Sequence, residues 1–265
     1  MFGLSPELIT FIGIFFVFLM TTLGAGIVFI VKKELSSNFN RIFLGFAAGV
    51  MIAAAVWSLL IPAMESSKAS GYKLSWLPAT VGFIFGGLFL LLVDRILPHL
   101  HINDDVPEGV KSKLNRTTML VFAIALHNAP EGLAVGLAFG YALKTGDSIM
   151  LATAFGLAIG IGIQNFPEGA AVSIPLKDTN VSTKKAFMLG SLSGFVEPIF
   201  AGLGLLLAGS LTAIMPWFLG FAAGAMIYVV VEELIPEAQL DSHSHVGTFA
   251  LMIGFLLMMI LDGAL

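Results

Sequence analysis

Apolar residues in this chain run on in stretches of about twenty, broken by short polar segments. About twenty such residues in a helix cross a bilayer. Eight stretches of that size predict helices near 7–31, 42–63, 75–98, 117–143, 148–174, 186–209, 214–236 and 246–264. The connections are short, and the longest is the polar stretch at 99–116 between the third and fourth. The pattern predicts an all-α polytopic membrane protein, with 1–265 forming a single transmembrane domain.

Composition sharpens this. The chain is 57% hydrophobic and only 11% charged, where a soluble domain carries about 25% charge. Mean hydropathy is +0.96. No Lys or Arg precedes the first apolar run, so "MFGLSPELITFIGIFFVF" is expected to be the first span rather than a cleaved signal. Cysteine is absent, which removes thiolates from any metal chemistry. The net charge of −4 gives no basis for a nucleic-acid partner.

The placement of charge sets an orientation. With the N-terminus outside, Lys32, Lys33, Arg41, Arg95, Lys111, Lys113, Arg116, Lys177, Lys184 and Lys185 fall on the cytoplasmic side. Only Lys68, Lys73 and Lys144 fall on the other. Short cytoplasmic loops carry the excess of basic residues. Both termini are therefore expected to be extracytoplasmic.

The chain also repeats itself. "GFAAGVMI" at 45–52 returns as "GFAAGAMI" at 220–227, and "LIP" at 60–62 returns at 234–236. The second and seventh spans run in opposite directions under this topology. Inverted repeats of this kind are a recurrent construction in secondary transporters. The expected arrangement is 3+2+3, with 1–98 and 184–265 as inverted repeats around a central pair, 117–174. Gly45 and Gly49, like Gly220 and Gly224, allow close helix approach.

The chemistry lies in the central pair. "HNAPEG" at 127–132 and "QNFPEG" at 164–169 place Glu131 and Glu168 inside otherwise apolar runs. Residues three and four apart share a helix face. His127 and Asn128 therefore converge on Glu131, and Gln164 and Asn165 on Glu168, so that each glutamate could bridge two ion positions. Pro130 and Pro167 withhold a backbone donor from the carbonyls of Leu126 and Ile163. Irregular backbone at this depth is tolerated where it lines a cavity.

Glu197 in the sixth span adds a third acid, and an ionised carboxylate at mid-membrane costs about 2.5–3.5 kcal/mol. No Lys or Arg lies within these three runs to offset the cost. A divalent cation would; protonated carboxyls bonding between helices are the bland alternative. Imidazole, carboxylate and amide ligands suit zinc, iron(II), manganese and cadmium better than copper(I). Met51 and Met226 occupy equivalent repeat positions, where a thioether could serve packing or add a soft ligand.

These residues resemble the Zrt/Irt-like (ZIP) divalent-metal transporters, close to the bacterial GufA-like branch. The resemblance rests on the two paired motifs, the Glu-Pro of the sixth span and eight spans with both ends outside. It implies uptake of zinc, or of cadmium, iron(II) or manganese, toward the cytoplasm through a two-metal site half-way across. His127, Glu131, Gln164, Glu168 and Met51 would hold the transported metal. Asn128, Asn165 and Glu197, sharing Glu131 and Glu168, would hold a second. Some members carry His where this chain has Gln164, or Asp where it has Asn165, so the site here has less charge. The resemblance further implies an elevator motion of spans one, four, five and six against the other four, and a homodimer. A compact chain without a large ectodomain suggests a bacterial inner membrane.

Outside the spans, His99 and His101 in "LPHLHINDD" and His243 and His245 in "QLDSHSH" pair with Asp as candidate contacts for an exiting metal, or as ordinary loop polarity. Glu232 or Glu233 could line the exit, and Asp262 is expected to face water. Two other functions share features with this chain. An intramembrane zinc hydrolase would need HExxH, and here Asn128 follows His127 and position 131 is Glu. A cation/proton or calcium exchanger also uses inverted repeats with buried acids, but calcium takes only oxygen ligands.

Overall fold

The computed structural model describes residues 3–31, 37–97, 116–178, 181–210, 214–238 and 244–264, and these are helical apart from short turns. Seven helical stretches among them are long and apolar enough to cross a membrane. A further 30-residue helix runs Arg116–Thr145. In chain order the helices are α1 (Pro6–Gly26), α2 (Ser37–Ala54), α3 (Ile61–Ala69), α4 (Trp76–Ile96), α5 (Arg116–Thr145), α6 (Ser148–Asp178), α7 (Thr183–Gly194), α8 (Val196–Ser210), α9 (Met215–Val229), α10 (Ile235–Ala238) and α11 (Val246–Ala264).

Local chemistry sets several helix ends. Ser5 caps α1 through Leu8 N, with Pro6 as its first residue, where a missing N–H costs nothing. Between α5 and α6 the turn is two residues long. Gly146 takes φ +67°, a left-handed conformation that glycine adopts without penalty. The Asp147 carboxylate then accepts from Ile149 N at 2.8 Å and Met150 N at 3.4 Å, capping the start of α6. This turn brings the two central helices side by side.

Three spans are not the uniform helices that hydropathy predicts. Between α2 and α3 the chain forms a π-helical segment, Ala55–Leu60, and between α9 and α10 another, Val230–Leu234. Each lies just before the proline of an LIP triplet, Pro62 and Pro236, which removes the donor that would close the α-helical turn. The sixth span breaks at Phe195, between α7 and α8. Pro198 leaves the carbonyl of Gly194 without its helical donor, and the break falls two residues before Glu197.

The helices pair closely: α1 along α6, α5 along α8, α2 along α11, and α4 along α9. Glycines make these contacts. A Cβ on Gly45 or Gly49 would run into the backbone of Gly247 or Leu251, and one on Gly220 or Gly224 into that of Ala79 or Phe83. Gly86 meets Phe221, and Gly254 meets Phe46 in the same way. The contacts of the two GFAAG segments thus recur, and they bring Ala79, Phe83, Gly86 and Asp94 into register with Gly247, Leu251, Gly254 and Asp262.

Helices α1, α4, α8 and α11 expose apolar side chains such as Phe11, Phe85, Leu206 and Phe249. By contrast, Phe139, Met51, Leu157, Leu219 and Met226 are fully buried between α2, α5, α6 and α9. Asp262 corrects an expectation. It is half-buried and accepts a 2.8 Å hydrogen bond from Ser58 in the first π segment, rather than standing in water. The corresponding Asp94 accepts from Tyr228 Oη at 3.4 Å. Both aspartates lie on the outer helix of a pair, where a hydroxyl from the inner span reaches them.

Candidate metal centre

Both PEG motifs lie within helices that continue through Pro130 and Pro167. Glycines after the glutamates let neighbouring helices close in. A Cβ on Gly132 would meet the backbone of Glu197, and one on Gly169 the backbone of Thr21. The consequence is a polar group at the junction of α1, α5, α6 and α8, inside an otherwise apolar bundle.

Glu131, Asn128, Gln164, Asn165 and Glu197 are each 2% exposed or less. Gln164 Nε2 donates to Glu131 Oε1 at 2.7 Å, joining the two motifs. Asn165 Nδ2 donates to Glu197 Oε1 at 2.8 Å, joining α6 to α8. Glu131 lies close enough to both Glu168 and Glu197 for the three carboxylates to act on one another. Glu197 sits in the first turn of α8, where the helix dipole favours a negative charge.

Five acceptor oxygens in this group have no hydrogen-bond partner among the described residues: Asn128 Oδ1, Glu131 Oε2, Gln164 Oε1, Asn165 Oδ1 and Glu197 Oε2. A buried acceptor left unpaired costs about 1–3 kcal/mol. A cation is the partner that several such oxygens can share. Among the described residues no three His, Cys, Asp or Glu side chains form a metal-binding group by themselves.

The remaining candidates divide. Glu168 is half-buried one turn beyond Gln164 on α6. His127 lies in α5, but its side chain is outside the described residues. Asn128 turns toward α7, where its Nδ2 donates to Ser193 O at 3.2 Å. Met51 is fully buried within the apolar core, as is Met226. Glu233 is buried in the second π segment, and His245 is exposed just before α11. His99, His101 and His243 lie outside the described residues. Sequence reasoning missed Thr21, fully buried on α1, which donates to Glu197 Oε1 at 3.2 Å. Its only signal is a hydroxyl in an apolar span.

Comparison with known proteins decides the class. A family model described as "ZIP Zinc transporter" matches residues 101–262. The chain is 37% identical to the zinc transporter ZIP11 of Homo sapiens over 98% of both chains. It is 36% identical to the zinc transporter GufA of Myxococcus xanthus, over 92% of this chain and 94% of that one.

The chain belongs to the ZIP zinc transporter family.

Membership agrees with the resemblance carried by HNAPEG and QNFPEG, including its bacterial GufA-like relatives. A further ZIP relative, the zinc transporter ZIPB of Bordetella bronchiseptica, is 36% identical over 94% of this chain and 78% of its own length. The family is one of transporters rather than enzymes, and the hydrolase alternative ends here. With the seven apolar helical stretches among the described residues, membership makes this an integral membrane protein.

Proposed function

We propose that this protein carries divalent transition-metal cations, zinc foremost, across the membrane toward the cytoplasm. The observation that carries the proposal is the set of five buried oxygens, on Asn128, Glu131, Gln164, Asn165 and Glu197, that have no hydrogen-bond partner among the described residues. His127, Glu131, Gln164, Glu168 and Met51 hold the transported ion. Asn128, Asn165 and Glu197, with Glu131 and Glu168 shared, hold a second. Zinc accepts nitrogen and oxygen donors in this mix, and cadmium, iron(II) and manganese are further substrates. The names of the ZIP11 and GufA relatives support zinc.

The arrangement is a 3+2+3 inverted repeat with both termini outside, forming one transporter domain. Its support is the matched pairing of α2 with α11 and α9 with α4, and of α1 with α6 and α8 with α5. In an elevator, spans one, four, five and six would travel with the metal against the rest, in a homodimer in a bacterial inner membrane. An ion leaving the site would pass Glu233 and the loop histidines His99, His101, His243 and His245.

Zinc flux into liposomes holding the purified protein, read by an internal fluorescent indicator, tests the proposal. Saturable flux that cadmium competes with and excess calcium does not is expected. Flux inhibited by calcium alone would contradict it.

A further inference from the structure

Gly132 and Gly169 occupy the same place in the two PEG motifs, and each accepts a neighbouring backbone where a Cβ would stand. For Gly132 that neighbour is Glu197; for Gly169 it is Thr21. Thr21 and Glu197 therefore hold corresponding positions on α1 and α8, the helices packed against α6 and α5. Where one repeat offers a carboxylate, the other offers a hydroxyl, and the two meet: Thr21 Oγ1 lies 3.2 Å from Glu197 Oε1.

Thr21 has one proton to give and two acceptors in range. The carbonyl of Val17, one turn back on α1, is at 3.4 Å; the Glu197 oxygen is nearer, and carries charge when ionised. Hydrogen bonds to ionised groups are roughly twice as strong as neutral ones, so the proton belongs to Glu197. Asn165 Nδ2 donates to the same oxygen at 2.8 Å. Two donors from two helices thus fix Oε1, while Oε2 is buried with no hydrogen-bond partner among the described residues. Space for this is kept by Gly194, whose Cβ would come within 2.7 Å of the Thr21 side chain.

We infer that Thr21 is a positioning residue for the metal site: with Asn165 it holds the Glu197 carboxylate by Oε1 and so presents Oε2 to the second cation. This rests on the two-metal site proposed above. The hydroxyl also fixes the charge, since a carboxylate at the corresponding position would make four acids where the chain has three. The site is then lopsided by construction, with its anionic ligand on the α8 side and a neutral orienting group on the α1 side.

The test is zinc and cobalt(II) titration of the purified protein in nanodiscs, for wild type, Thr21→Val, Thr21→Ala and Thr21→Ser. Groups that orient metal ligands typically contribute ten- to a hundredfold in affinity. The weaker of two zinc sites is expected to lose about that factor in Thr21→Val, with an altered cobalt(II) absorption spectrum. Thr21→Ser, which keeps the hydroxyl, should remain within about threefold of wild type on the same ground. Thr21→Ala stands in should valine prevent folding. Apolar variants that titrate as wild type, or a serine variant as weak as valine, would overturn the role of Thr21. Wild type that binds no zinc, or a Glu168→Ala variant that binds as much as wild type, would instead refute the site itself.

Discussion

Gln164 Nε2 stands 2.7 Å from Glu131 Oε1, so an amide from one PEG motif holds the carboxylate of the other. Both side chains are buried, on antiparallel helices joined by the two-residue turn at Gly146 and Asp147. The bond holds one Glu131 oxygen and leaves the other without a hydrogen-bond partner among the described residues. Replacing Gln164 by Leu keeps the volume and removes the donor. It is expected to raise the zinc concentration for half-maximal uptake about tenfold or more. Gln164→His, which supplies an imidazole nitrogen as a ligand, should transport. Initial uptake rates over a zinc series check both.

Helix contact around the site depends on absent side chains. Gly132→Ala forces a methyl into the Glu197 backbone, and Gly169→Ala forces one into that of Thr21. Overpacking of this kind costs about 1–3 kcal/mol, so each variant should melt at lower temperature in detergent. Gly202 on α8 is the control, because a Cβ there meets nothing within 4 Å. Gly202→Ala should be neutral or should gain up to about 1 kcal/mol from helix propensity.

The two aspartate contacts should differ in strength. Ser58 donates to Asp262 at 2.8 Å, while Tyr228 reaches Asp94 only at 3.4 Å. Ser58→Ala is expected to cost about 1.5–3 kcal/mol, the range for bonds to charged groups, and Tyr228→Phe measurably less. Thermal unfolding of the two variants side by side gives the comparison.

Most of the fold could be read from apolar run length, because a membrane span is specified by some twenty residues at once. The first and last stretches, expected at 7–31 and 246–264, are helical over Pro6–Phe29 and Val246–Ala264. What run length does not carry is the effect of single prolines. Pro62, Pro236 and Pro198 reshape three spans through one missing N–H each, and the break at Phe195 is what puts Glu197 at a helix start. At the site, Glu131, Gln164, Asn165 and Glu197 were legible as polar residues in apolar surroundings. Thr21 was not, since a threonine in a membrane helix can satisfy its hydroxyl on its own preceding turn. Asp262 looked like a helix-end acid because its partner, Ser58, is distant in sequence.

The absence of cysteine makes the topology directly measurable. Lys144, near the end of α5, and Lys184, at the start of α7, are exposed and lie on either side of α6 in the chain. In intact cells, a membrane-impermeant maleimide should label Lys144→Cys and spare Lys184→Cys until the membrane is opened. The reverse pattern would invert the orientation drawn from the basic loops.

The central claim is that the two PEG motifs together form the transport site. Zinc uptake into proteoliposomes by wild type, Glu131→Ala and Glu168→Ala, with equal protein incorporated, tests it most directly. Saturable uptake by wild type that falls to the level of empty liposomes in both variants is the expected result. Undiminished uptake in either variant would contradict it.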